Sequence, residues 1–323
     1  MPLGSLTSSS RKRSPGVIVA CPQVCSPPPT ASCRHWLLLT ADGEVDLASA
    51  ERLIDYLYSQ GVGGLYVTGS TGEGIYLDMD NRRTMVELAV GMSRGRGQVI
   101  AHVGAIEGEL AFRLAAHAGR TGADAVASIP PFVGGNSWSE VYGYYQRLCE
   151  TSPLPVVGYY IPSLTGQAHA LDNLASLAHL PNLAGFKVTD TNLYTAERLL
   201  PRLGPEQIIY HGADELLAFA YMLGTHGGIG STYNFMPKLI LEIAALSTAG
   251  RWAEAVAAQR RANAVIEALL SVQPMAATKQ ILYWQGLIDT PVCAAPRSML
   301  SEADQASLRR RLAGTVIADT LVR

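Results

Sequence analysis

The amino-acid sequence predicts an α/β protein: a (β/α)8 TIM barrel with a C-terminal helical extension. Short β-branched runs that end in Gly or polar clusters alternate with longer Ala- and Leu-rich segments at helical spacing. Eight such runs fall within about 220 residues, whereas an open doubly wound sheet usually stops at about five or six strands. After residue 235 the strand-like runs end, and an Ala/Leu/Arg-rich helical pattern continues.

The domain organisation follows from this alternation. We expect a disordered tail over residues 1–15, the barrel over 16–248 and the helical extension over 249–323. An atypical Cys/Pro-rich insertion at about 21–40 lengthens the connection between the first strand and the first helix. The eight predicted strands are 17–20, 64–67, 98–103, 124–129, 154–161, 183–188, 207–211 and 227–230.

Charge and apolar content limit the classes of partner. The 25 basic and 27 acidic residues give a net charge of -2, which provides no field for capturing nucleic acid or an anionic membrane. We therefore expect a small-molecule partner. No apolar run approaches the roughly 20 residues that a membrane-spanning helix needs, and none forms the core of a secretory signal. Five cysteines in so long a chain fit a reducing compartment, so we expect a soluble cytosolic protein.

Potential metal ligands are few and scattered. Four lie near the N terminus: Cys21, Cys25, Cys33 and His35. Their spacing matches no common zinc module, and we interpret the segment as an irregular loop with free thiols. A metal-dependent enzyme would need clustered His and carboxylate ligands at strand ends, whereas His102, His211 and His226 are dispersed. We expect no metal and no cofactor.

Lysine is rare in this chain, so the position of each one is informative. The four lysines lie at positions 12, 187, 238 and 279. Only Lys187 lies in an apolar run that is typical of a buried strand. It could reach solvent at the strand end or pair with Asp190. Alternatively, because a barrel opens at the C-terminal ends of its strands and apolar walls lower an ammonium's pKa, Lys187 could attack a carbonyl.

Polar groups lie at or after the ends of four other predicted strands. They are Ser70 and Thr71 in the turn 69–74, Tyr159, the segment 212–215 with Asp214 and Glu215, and the segment 230–234 with Ser231. The turn offers hydroxyls and backbone N–H groups that suit a carboxylate, and a phenol can relay a proton. Each feature alone also has a common structural explanation. Together, at successive barrel mouths, they indicate a binding site for a polyhydroxylated substrate.

Four motifs in this order resemble the N-acetylneuraminate lyase branch of the dihydrodipicolinate synthase family. They are Gly-Ser-Thr-Gly-Glu at 69–73, Tyr-x-Ile-Pro at 159–162, Gly-Phe-Lys at 185–187 and Gly-Ser-Thr-Tyr-Asn at 230–234. The resemblance runs from about residue 16 to the C-terminal helices and fails in the Cys/Pro-rich insertion. It implies a class I pyruvate aldolase that works without a cofactor and assembles as a homotetramer.

The resemblance also assigns roles to individual residues. It implies that Lys187 forms the Schiff base, that Tyr159 relays a proton, and that Ser70 and Thr71 bind the carboxylate of pyruvate. It implies contacts to the sugar-derived part of the substrate for a further group of residues. These are Thr189, Gly212, Asp214, Glu215 and Ser231.

Three positions depart from the family pattern or select a branch within it. Dihydrodipicolinate synthases place an arginine shortly after the proline of the second motif, where it holds an acidic substrate. Leu164 stands there in this chain, which favours a neutral sugar such as N-acetylmannosamine. Val133 follows Pro-Phe where many members carry a tyrosine that reaches across a subunit interface. The Thr-Pro-Phe that follows the first strand in the family is replaced by the insertion.

The sequence therefore predicts reversible cleavage of a sialic acid into pyruvate and N-acetylmannosamine. Related pyruvate aldolases that act on 2-keto-3-deoxy sugar acids or hydroxy-oxo acids, and a dihydrodipicolinate synthase-like enzyme, remain open alternatives. From another class, the chain could be a catalytically impaired oxo-acid or sugar binding protein, because the fold alone does not determine function.

Overall fold

The computed structural model describes residues 32–34, 40, 44–133 and 135–323. In these residues, eight parallel strands pair in sequence order, and the first also pairs with the eighth, which closes the barrel. The strands are β1 (Ser32–Arg34), β2 (Gly64–Val67), β3 (Gln98–His102), β4 (Ala125–Ser128), β5 (Val156–Tyr160), β6 (Leu183–Val188), β7 (Ile208–His211) and β8 (Gly227–Gly230). The predicted fold class is confirmed.

The first strand is the one element that the sequence analysis placed wrongly. The prediction was 17–20, which lies outside the described residues, as does most of the insertion at 21–40. The strand that pairs with both β2 and β8 is instead Ser32–Arg34. Its Ser-Cys-Arg sequence lacks the β-branched residues that make 17–20 resemble a strand. Pairing with β2 and β8, rather than local propensity, selects Ser32–Arg34 as the first strand.

Helices follow the strands on the outside of the barrel, and no helix of the described segments is long and apolar enough to cross a bilayer. In the barrel they are α1 (Leu47–Ser59), α2 (Met79–Ser93), α3 (Gly108–Thr121), α4 (Trp138–Thr151), α5 (Pro162–Thr165), α6 (Leu171–Leu177), α7 (Leu193–Leu199), α8 (Leu217–Met222) and α9 (Pro237–Thr248). The helices that follow are α10 (Trp252–Leu270), α11 (Pro274–Trp284) and α12 (Glu302–Leu312). Side-chain caps fix several starts; Asp46, for example, accepts a hydrogen bond from the Ser49 N–H at 3.0 Å.

Side chains alternate along the strands between two buried layers. Outward-facing residues such as Val67, Phe186 and Ile209 pack against the helices in the larger core. The inward-facing residues form a separate cluster that fills the barrel and includes Tyr66 and Tyr159. This alternation determines which side chains can reach the barrel mouth.

Candidate active site

Lys187 points into the barrel because strand β6 contains a bulge. The pairing with β5 skips Ala184, so β6 carries one extra residue at this point. Gly185 adopts a φ of 139°, and a Cβ there would lie 2.0 Å from the backbone oxygen of Ile208, so only glycine fits. Because strand side chains alternate, the extra residue turns Phe186 outward and Lys187 inward.

The amine of Lys187 lies in a fully buried pocket between aromatic rings. Lys187 is 0% exposed. Its Nζ lies 3.6 Å from the ring centroid of Tyr159 and 5.1 Å from that of Tyr66. Nζ also donates to Thr189 Oγ1 at 3.3 Å, and this hydroxyl donates to the phenol oxygen of Tyr159 at 3.4 Å. Amine, hydroxyl and phenol are thus joined by one chain of hydrogen bonds.

The turn between β2 and α2 brings its hydroxyls to the same end of the barrel. Thr71 Oγ1 and Ser231 Oγ, which follow β2 and β8, share a hydrogen bond of 2.6 Å. Ser70 Oγ is buried and has no hydrogen-bond partner among the described residues. Thr68 and Glu73 at the two ends of the turn adopt φ values of 56° and 51°. A buried hydroxyl without a partner beside backbone amides suits a bound carboxylate.

A cleft of about 300 Å³ opens above this pocket. Its lining includes Gly212 and six residues with polar side chains: Thr189, Asp190, Asp214, Glu215, Ser231 and Thr232. Asp214 Oδ2 is fixed there by the Thr232 N–H at 2.9 Å and the Thr232 hydroxyl at 2.8 Å. Gly212 makes room for Thr189, because a Cβ at this glycine would lie 1.9 Å from Thr189 Oγ1. The cleft has the size and polarity to hold a sugar.

Two titratable groups near the site are shifted by burial. Burial raises the pKa of Glu215, and the neighbouring carboxylate of Asp214 raises it further. Burial lowers the pKa of His211 to about 4; the charge of Lys187 acts in the same direction and Asp190 opposes it. His211 is 1% exposed, and its ring nitrogens have no hydrogen-bond partner among the described residues. The imidazole is therefore neutral at physiological pH.

The nine residues predicted for the site lie around one end of the barrel. Lys187 and Tyr159 lie in the buried pocket, Ser70 and Thr71 lie in the turn after β2, and the other five line the cleft: Thr189, Gly212, Asp214, Glu215 and Ser231. Thr189 connects the cleft to the pocket and Ser231 connects it to the turn through their hydrogen bonds. The roles assigned to these nine residues remain predictions.

The sequence analysis missed the apolar side of the cleft. Ile266, Leu269 and Leu270 from α10 and Met275 from α11 also line the cleft. Leu270 is 59% exposed although it is a large apolar residue. These residues follow no strand, and their helical spacing is also typical of ordinary core packing, so the sequence carried no signal for a role in the site.

Three further expectations concern residues near the site or near the N terminus. Leu164, which stands in place of the family's arginine, packs against the cluster inside the barrel. Val133 lies in the connection between β4 and α4 and is 61% exposed. No group of three His, Cys, Asp or Glu side chains capable of holding a metal occurs among the described residues. The N-terminal cysteine segment considered as a zinc site falls outside the residues whose side chains are described.

Comparison with known proteins places this site in a defined context. A family model described as the dihydrodipicolinate synthetase family matches residues 38–314. The N-acetylneuraminate lyase of Rhizobium meliloti (strain 1021) is 35% identical over 272 residues, which cover 84% of this chain and 90% of that protein. N-acetylneuraminate lyase 2 of Escherichia coli O6:H1 is 35% identical over 260 residues, which cover 80% of this chain and 85% of that protein.

Solved structures agree with these sequence matches. CdNal from Clostridium difficile, solved in complex with mannosamine, superimposes with a TM-score of 0.84 at 26% identity, covering 88% of this chain and 98% of that one. The dihydrodipicolinate synthase of Aquifex aeolicus has the same fold, with a TM-score of 0.84 at 24% identity over 88% of this chain and 97% of that one.

Proposed function

Because the chain belongs to the dihydrodipicolinate synthetase family, we propose that it is a class I aldolase of the carbon–carbon lyase type that cleaves N-acetylneuraminate reversibly into pyruvate and N-acetylmannosamine. The observation that carries the proposal is the buried amine of Lys187, which is linked through Thr189 to the phenol of Tyr159. This arrangement provides a nucleophile and a proton relay in one enclosed pocket.

The reaction begins with the uncharged amine of Lys187 attacking the C2 ketone of the open-chain substrate. Loss of the C2 oxygen as water gives an iminium, which is an electron sink. Ser70 and Thr71 hold the adjacent carboxylate through hydroxyl and backbone donors. The substrate is then anchored at two neighbouring carbons, so its C3–C4 bond has one orientation in the barrel.

Cleavage follows when a proton leaves the C4 hydroxyl. Tyr159 relays this proton, the C4 oxygen becomes the aldehyde of N-acetylmannosamine, and the electrons of the C3–C4 bond move into the iminium to give an enamine. Protonation of the enamine at C3 and hydrolysis of the resulting iminium release pyruvate and regenerate the amine of Lys187. Each step is reversible, so the same groups serve synthesis.

The choice of a neutral amino sugar is supported by the cleft. Asp214 and Glu215 are acceptors for sugar hydroxyls, and they would repel an acidic aldehyde. Leu164 supplies no positive charge to hold a second carboxylate. The apolar side formed by Leu269 and Met275 offers a surface for the methyl group of the N-acetyl substituent.

We also propose that the protein acts as a homotetramer in the cytosol. Family resemblance supports the tetramer, as do Ile106 and Val133, which are 57% and 61% exposed after the neighbouring strands β3 and β4. The free, buried thiols of Cys149 and Cys293 fit a reducing compartment. Light scattering of the purified chain would measure the assembly.

Two measurements test the proposed reaction. The purified chain is expected to release pyruvate from N-acetylneuraminate faster than from a 2-keto-3-deoxy sugar acid. Borohydride reduction in the presence of pyruvate is expected to modify the peptide that carries Lys187. Faster turnover of the sugar acid would make it the substrate in place of N-acetylneuraminate. Labelling without turnover of either compound would indicate a binding protein. Absence of labelling at Lys187 would remove the Schiff-base chemistry.

A further inference from the structure

A buried ion cluster joins the turn at 68–74 to the C-terminal helices. It consists of Glu73, Lys279 and Arg297, and we refer to these three residues as the Glu73 cluster. Lys279 Nζ donates to Glu73 Oε2 at 2.6 Å, the Ala294 N–H donates to the same oxygen at 3.2 Å, and Arg297 Nη1 lies 3.6 Å from Oε1. The side chains of Glu73 and Lys279 are 0% and 1% exposed.

The turn that this cluster contacts has an unusual backbone. Thr68 and Glu73 both adopt left-handed conformations, with φ of 56° and 51°, which residues other than glycine rarely do. Such conformations persist where the surroundings fix them, and they often occur at binding sites. The N–H of Glu73 donates to the carbonyl of Ser70 at 3.2 Å, so rotation at Glu73 would displace Ser70 directly.

The opposite end of the turn is held from inside the barrel. Thr68 Oγ1 donates to the carbonyl oxygen of His102 at 2.8 Å, and the carbonyl of Thr68 lies 3.2 Å from His102 Nδ1. The Ile129 N–H donates to His102 Nε2 at 3.3 Å, so the proton of the neutral imidazole is on Nδ1 and is donated to Thr68. The barrel fixes one end of the turn, and Lys279 of α11 with the segment that follows this helix fixes the other.

We infer that Glu73, Lys279 and Arg297 are positioning residues, which hold Ser70 and Thr71 in the geometry that binds the carboxylate of pyruvate. Replacing a buried ion pair by apolar residues is often neutral for stability, so stability alone does not account for this cluster. A fixed left-handed Glu73 next to a carboxylate-binding turn does account for it. The inference rests on the proposed function, because it takes pyruvate as the ligand of this turn.

The test compares pyruvate binding with turnover in the full-length chain. Glu73→Gln with Lys279→Met removes both buried charges together, and Arg297→Gln removes only the partly exposed member. Glu109→Gln is the matched control, because Glu109 pairs with Arg147 at 2.8 Å on the surface, where the two side chains are 65% and 59% exposed. For each variant, the pyruvate concentration that half-saturates borohydride inactivation is measured beside kcat and the KM for N-acetylmannosamine.

The double variant is expected to raise the half-saturating pyruvate concentration about tenfold, which is the loss expected for one charge-assisted hydrogen bond. Arg297→Gln is expected to raise it less, the control is expected to leave it unchanged, and kcat and the KM for the sugar are expected to stay near the wild-type values. A folded double variant with the wild-type pyruvate concentration would overturn the inference.

The remaining outcomes are equally decisive. If the double variant does not fold, Arg297→Gln decides: a raised pyruvate concentration supports the inference, and an unchanged one overturns it. A fall in kcat and a rise in the KM for N-acetylmannosamine, in parallel with the rise in the half-saturating pyruvate concentration, would indicate a purely structural cluster. This result would also overturn the inference. Failure of the wild-type chain to be labelled at Lys187 would be a different result, because it removes the proposed function itself.

Discussion

The buried pocket around Lys187 and the cleft above it differ in how firmly their side chains are fixed. In the pocket, Lys187 and Tyr159 are 0% and 1% exposed, and each contacts groups contributed by neighbouring strands. In the cleft, Glu215 and Ser231 are only partly buried, and part of the lining comes from the helices α10 and α11. The strands therefore fix the groups that would do the chemistry, whereas helices and loops shape the space for the rest of the substrate.

Because of this difference, substitutions in the two regions are expected to affect different kinetic constants. A low-dielectric pocket strengthens each electrostatic contact and leaves little room for compensation, so changes to Lys187 and Tyr159 are expected to alter kcat. Contacts in the partly exposed cleft compete with water, so changes there are expected to alter KM for the sugar. Substitutions in each region test this division.

The largest effect is expected for Lys187→Arg in the pocket. The guanidinium keeps the positive charge but cannot form a Schiff base, so kcat is expected to fall by about four orders of magnitude. Pyruvate release from N-acetylneuraminate measures the loss. Lys238→Arg is the control, because Lys238 is exposed on α9, and it should leave turnover unchanged. Appreciable turnover by Lys187→Arg would mean that another group supplies the nucleophile.

Tyr159→Phe tests the proton relay in the same pocket. Phenylalanine retains the ring beside the amine but removes the hydroxyl that Thr189 contacts, so kcat is expected to fall by about two to three orders of magnitude. Tyr160→Phe provides the control on the opposite face of the same strand. Steady-state assays of both variants suffice. Equal activities for the two variants would show that the Tyr159 hydroxyl does not relay the proton.

Acid is expected to destabilise the folded chain through His211, which lies near Lys187. Its folded-state pKa of about 4 lies below the ordinary value near 6.5. Between these two pH values the imidazole is protonated in the unfolded chain and neutral in the folded chain. The stability it contributes is complete above pH 6.5 and is lost as the pH falls towards 4, with a loss of about 2 kcal/mol between pH 7.5 and 5.

Urea unfolding of His211→Leu at these two pH values measures this contribution. The variant should lose less stability on acidification than the wild-type chain by the stated amount. Exposed His179→Gln serves as the control and should follow the wild-type chain. An identical pH dependence in His211→Leu would show that protonation of this imidazole is not coupled to unfolding.

The two regions also differ in how well the sequence predicts them. Periodicity and strand-end residues identified seven strands and the placement of Lys187 near the barrel mouth, because these signals are local. The first strand was misplaced, since pairing with β2 and β8 selects Ser32–Arg34. The inward direction of Lys187 depends on the bulge at Gly185, and the apolar side of the cleft depends on how α10 packs. Both are tertiary features that no local pattern carries.

The smallest effect is expected for Glu215→Gln in the cleft. Burial and Asp214 raise the pKa of Glu215, so its carboxylate protonates at a higher pH than an exposed one would. Since the ionised form is the better acceptor for a sugar hydroxyl, the wild-type KM for N-acetylmannosamine should rise as the pH falls through that raised pKa. Glu215→Gln should raise this KM by only about three- to tenfold at neutral pH and should remove its acid dependence.

The test measures this KM against pH for the wild-type chain and for Glu215→Gln. Glu206→Gln is the control, because Glu206 is exposed. An unchanged kcat with an altered profile would assign Glu215 to sugar binding. If the acid dependence persists in Glu215→Gln, the titrating group is elsewhere. If kcat also falls in Glu215→Gln, the cleft takes part in the chemistry. The division between a catalytic pocket and a binding cleft then fails, because a partly exposed carboxylate would act on the same proton as Tyr159.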